Sequence, residues 1–98
     1  MSDYETTTIY MPVSDKLGWW DRHSDILSQK AVEWLKEHVG EQAPTYFVFL
    51  ANLDNDQFGW CFNGKAHDPN TNLVHVAYSI TFKNANDAMM FKLAWSGN

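Results

Sequence analysis

Residues 73–83 read LVHVAYSITFK and alternate strictly. Val74, Val76, Tyr78, Ile80 and Phe82 fall on one face, and His75, Ser79 and Thr81 on the other. A period of two over this length is the pattern of a strand buried on one side. A half-buried strand needs strand partners and a layer over its apolar face, so the chain is restricted to folds with a covered sheet. The next residues can supply that layer. Asn84 stands at an N-cap, with Asp87 three residues on in the capping-box position. Residues 85–95 then set Ala88, Phe91 and Trp95 on one side of a helix.

Residues 6–13 (TTTIYMPV) read as another strand, with Ile9, Met11 and Val13 on one side. Pro12 cannot donate to a ladder, which predicts a sheet edge or a strand end. Residues 14–24 read as a loop with a short helical turn. Residues 25–39 (DILSQKAVEWLKEHV) are a helix capped by Ser24, with Leu27, Ala31, Trp34, Leu35 and His38 in one stripe. Asp25 and His38 suit the helix dipole, and Gly40 suits the position past its end. Residues 45–51 (TYFVFLA) are apolar throughout from Tyr46, which predicts a central, buried strand. Residues 54–57 form a polar hairpin loop, residues 58–62 the next strand, and Asn63-Gly64 a turn. The expected fold is one α+β domain over residues 1–98. It is a two-layer sandwich in the order β-α-β-β-β-α, an antiparallel meander with two helices on one face.

Seven Lys/Arg against twelve Asp/Glu give a net charge of −5, and the cations are scattered. Phosphate binding asks for clustered positive charge, so nucleic acid is not the expected partner, whereas a basic protein is. One Cys excludes an internal disulfide and fits a reducing compartment. No apolar run approaches the roughly 18–20 residues of a membrane span, and the polar start is no signal peptide. A cytoplasmic protein is expected.

The stretch DQFGWCFN puts Phe58, Trp60 and Phe62 at alternate positions. It resembles the base-stacking strand of RNA-recognition motifs at Phe58, Gly59 and Trp60, with Cys61 in place of Val. Asp56, Gln57 and Asn63 depart from that pattern, and the element order differs. Residues 25–95 share the element order of double-stranded-RNA-binding domains, without the basic cluster. Single-stranded nucleic-acid binding on an open aromatic face is therefore the alternative reading, and a helix, a second subunit or another protein could instead cover that face.

Cys61, His67, His75 and His23 match no zinc spacing, and Asn52, Asp54 and Asp56 imitate only the start of a calcium loop. No metal or cofactor is expected. Asp21, His23 and Asp25, beside Arg22, could do acid–base work as a small hydrolase or lyase. The chain has no G-x-S-x-G and no Gly-rich phosphate loop, so no catalytic residue is assigned.

The expected contact residues are aromatic. Trp and Arg dominate binding hot spots, which singles out Trp19, Trp20, Arg22 and His23 together with Phe58, Trp60 and Phe62. An uncovered aromatic sheet face also gives a reason to homodimerise.

The end of the chain, ITFKNANDAMMFKLAWSG, resembles the ends of short uncharacterised proteins of tailed bacteriophages. Phe82, Asp87, Ala88, Phe91, Lys92, Leu93 and Trp95 carry the likeness. It implies a small accessory protein of an infected bacterium that binds a host or viral macromolecule. The sequence thus predicts a non-enzymatic protein-binding module, an accessory protein or inhibitor, with homodimerisation as an option.

Overall fold

A computed structural model describes residues 6–12, 20–21, 26–67 and 76–95. The fold is α+β, with a three-stranded antiparallel sheet at its centre. Strand β1 is Thr7–Pro12, β4 is Trp60–His67 and β5 is Val76–Phe82, in the order β1-β5-β4. Strands β2 (Trp20–Asp21) and β3 (Ile26–Leu27) pair separately as a short antiparallel ribbon. The alternating segment is the central strand, as its two-sided demand for partners requires. Its residues 73–75 lie outside the described residues. Strand β1 is an edge strand ending at Pro12, the position a residue without an N–H tolerates.

Pairing register fixes the two faces. Ile9 lies opposite Ile80, Met11 opposite Tyr78, and Trp60 opposite Phe82. These residues form the core face, covered by helices α1 (Gln29–His38) and α3 (Ala85–Trp95) through Ala31, Leu35, Ala88 and Phe91. All of them are buried, Trp60, Ile80, Phe82, Leu35 and Phe91 completely. Two helices thus cover one face, the expected two-layer arrangement.

The expected strand at residues 45–51 is instead a helix, α2 (Tyr46–Ala51). An all-apolar run of six, Tyr46–Ala51, cannot be told from a helix by periodicity. Thr45 decides it locally, because its Oγ1 accepts a hydrogen bond from Val48 N at 3.1 Å as an N-cap. Helix α2 covers part of the opposite sheet face, where Phe49 joins Ala43 and Cys61 in a second small core. The predicted order β-α-β-β-β-α loses its second strand, and with it the likeness to double-stranded-RNA-binding domains.

Helix α1 starts later than expected. Ser28 caps it, its Oγ accepting from Ala31 N at 3.2 Å, while Ile26–Leu27 are in β3. Ser24 and Asp25 lie outside the described residues. At its other end Val39 N and Gly40 N both donate to Leu35 O, and Lys36 and His38 occupy the last turn. Helix α3 has the predicted bounds, and Asn84 Nδ2 donates to Asp87 Oδ2 at 3.4 Å.

Asn63-Gly64 is not a turn between strands but a bulge inside β4. Phe62 opposes Ile80 and Gly64 opposes Ser79, leaving Asn63 as the extra residue. Gly64 takes φ +83°, a conformation open to glycine. The polar loop at residues 54–57 is likewise not a hairpin. It joins α2 to β4 through a 3₁₀ turn, Leu53–Asn55, and Asp56 at φ 57°.

Candidate functional site

On the face opposite the main core, β1 contributes Thr8 and Tyr10 and β5 contributes Ser79 and Thr81. The register sets Thr8 against Thr81 and Tyr10 against Ser79. Helix α2 adds Tyr46 at its first turn, and the bulge adds Asn63. With Phe62 these residues line an open cavity of about 430 Å³. Its floor is a hydroxyl cluster. Thr8 Oγ1 and Thr81 Oγ1 share a hydrogen bond of 2.8 Å, and Asn63 Nδ2 donates to Thr81 Oγ1 at 2.7 Å. Asn63 lies two residues from Cys61, which opposes Thr81, so alternation puts its amide on the Thr81 side of β4. Ser79 and Thr81 are 3% and 1% exposed, so their hydroxyls are held at the bottom of the cavity rather than on open surface.

The alternate aromatics do not form one platform. Trp60 is wholly buried in the main core, and its Nε1 donates to Gly40 O at 2.9 Å. The ring is therefore not available to stack a base or touch a partner, which corrects its place among the contact residues. Phe62, half-buried, stacks on Tyr78 with ring centres 5.7 Å apart. Phe58 precedes the strand and packs with Phe49 and Cys61 in the small core on the other face. A two-residue spacing places side chains on one face only inside a regular strand, and β4 begins at Trp60.

Trp19, Arg22 and His23 lie outside the described residues, as do Asp25 and His75. Trp20 and Asp21 are fixed by their backbone in β2, opposite Leu27 and Ile26. The Asp21/His23 cluster thus lies partly outside the described residues. His67 ends β4, and among the described residues no three His, Cys, Asp or Glu side chains gather as metal ligands would. The amides of the calcium-like segment serve the local turn. Asn52 Nδ2 donates to Val48 O, and Asn55 Nδ2 to Asn52 Oδ1, both at 2.8 Å. Asp56 contacts Lys83 Nζ, whose side chain is largely buried.

Burial pushes the Cys61 thiol above its ordinary pKa, because the thiolate loses hydration. The group is a small hydrophobe in the Phe49 cluster, not an activated nucleophile. Iodoacetamide at neutral pH is expected to modify it more slowly in the folded protein than in urea, since burial lowers the thiolate fraction and shields the sulfur. Mass spectrometry of the time course checks this, and equal rates would place the thiol at the surface.

Two helices carry apolar residues outward. On α2, Tyr46, Phe47 and Leu50 are 45%, 84% and 41% exposed. On α3, Met89, Met90 and Leu93 are 64%, 40% and 74% exposed, and Leu93 lies four positions from Met89 and three from Met90, so they share a flank turned away from Ala88 and Phe91. Sequence reasoning passed over both groups, because apolar residues in a small chain are assigned first to its core. No helix among the described residues is long and apolar enough to cross a membrane. No protein-family model, curated protein or solved structure matches the chain.

Proposed function

We propose that the protein is a small non-enzymatic binding module that engages another protein, as a phage-encoded accessory protein binding or inhibiting a host factor. The observation that carries this reading is the outward apolar surface of the helices, above all Phe47 and Leu93. Single exposed apolar residues are commonplace, but grouped ones mark interaction surfaces. Methionine beside leucine gives a surface that can adapt to its partner. The net charge of −5 keeps such a surface soluble and favours a basic target. The likeness of the C-terminal segment to tailed-phage proteins supports an origin in an infected bacterium, and hence a cytoplasmic site of action.

The test is comparative capture from that cytoplasm. Phe47→Ser and Leu93→Ser alter side chains outside both cores and are expected to leave Tm within a few degrees of the parent. At least one is expected to weaken binding to the captured protein about tenfold, the loss of one hot-spot contact. Trp19→Ala and Arg22→Ala belong in the same series, because the sequence nominates them independently. If all four variants hold the partner as tightly as the parent, the reading fails.

A further inference from the structure

We propose that the cavity on the second sheet face is a binding site for a neutral carbohydrate, taken one pyranose ring at a time. Four observations combine. The lining residues Thr8, Tyr10, Tyr46, Phe62, Asn63, Ser79 and Thr81 carry no formal charge. Neither a phosphate nor a cation therefore meets an opposite charge there. The polar groups are chiefly hydroxyls, and each hydroxyl both donates and accepts. That versatility matches the hydroxyls of a sugar better than the fixed donor and acceptor edges of a nucleobase. Tyr10 and Tyr46 offer aromatic rings to the apolar C–H face of a pyranose, and Tyr46 is 45% exposed. Ser79, 3% exposed, sets one more of these hydroxyls on the floor of the cavity. The volume of about 430 Å³ lies in the usual range for small-molecule sites, about 300–1,000 Å³.

The preorganisation comes from the fold. Asn63 and Thr8 hold the Thr81 hydroxyl from two strands, so its orientation is set before a ligand arrives. Ser79 adds a second hydroxyl beside it. This site uses neither the outward flank of α3 nor Phe47, so it stands or falls separately from the protein-binding reading.

The test is titration of the ¹⁵N-labelled full chain with methyl β-glucoside, N-acetylglucosamine, cellobiose and maltose, with uridine and adenosine as a parallel arm. At least one sugar is expected to move the amide signals of Thr8, Tyr10, Asn63, Ser79 and Thr81 saturably, with half-saturation on the order of 1 mM. Tyr46→Ala and Ser79→Ala should each raise that concentration about tenfold, with Tm of the exposed Tyr46→Ala variant unchanged. The proposal is overturned if no sugar shifts these signals, if only the nucleosides do, or if the shifts survive both substitutions.

Discussion

Trp60→Ala is expected to lower the unfolding free energy by about 3–5 kcal/mol, the range for deleting a fully buried large aromatic. The residue is completely buried between Phe82 on the neighbouring strand and the helices over the core. It also ties the sheet to the end of α1, because its indole N–H donates to Gly40 O. The domain has only about 5–15 kcal/mol to lose, so the variant will sit near its unfolding transition at room temperature. Urea titration followed by far-UV circular dichroism measures the shift. Trp60→Phe separates the two contributions. It keeps most of the apolar volume and loses the hydrogen bond, and should cost clearly less. An alanine variant as stable as the parent would show that this indole is not part of the core. The same experiment bears on function, because a Trp that acts only as a contact residue would leave the midpoint where it was.

The second large effect is expected one residue earlier. A Cβ on Gly59 would lie 2.7 Å from Val39 O and 3.1 Å from both Val39 C and Cγ1. The obstructing atom is backbone at the end of α1, so no side-chain rotation relieves it. Around it the chain is held from several directions. Gly59 N donates to Glu41 O, Lys83 N donates to Gly59 O, and Ala43 N donates to Trp60 O, all within 3.0 Å. Gly59→Ala should therefore destabilise by about 1–3 kcal/mol, as overpacking in a tight region does. Adding Val39→Ala removes the Cγ1 contact and leaves the carbonyl, so the double variant should remain destabilised. Recovery of the parental midpoint in that double variant would show that the side chain, not the backbone, was the obstacle.

These two sites show where the sequence can be read and where it cannot. The alternation across Tyr78, Ile80 and Phe82 and the capped stripe of Ala88 and Phe91 each carry one period. Local pattern and tertiary burial agree there, and β5 and α3 are legible. Residues 45–51 carry no period at all, so the N-cap at Thr45 outweighs the apolar composition. At DQFGWCF the spacing misleads, because Phe58 lies outside the strand whose alternation it imitates. The α+β class survives these errors, since two helices and a sheet with one covered face do not depend on α2. The cavity is only half legible. Ser79 and Thr81 share a face by simple alternation, but Tyr46 reaches them through a helix that the pattern conceals. Asn63 shares that face as well, but the turn-like pair Asn63-Gly64 conceals that β4 runs on through it.

The strand order β1-β5-β4 also has a consequence for the timing of folding. The central strand is the last of the three to be synthesised, and β1 and β4 each pair with it and not with one another. While the ribosome is still making residues 76–82, the first strand has no sheet to join. Its pairings, such as Thr7 with Phe82, span most of the chain. Long-range pairing of this kind is slow. The sheet therefore closes only once β5 has been made, and until then the apolar residues of β1 and α1 have to stay soluble without it.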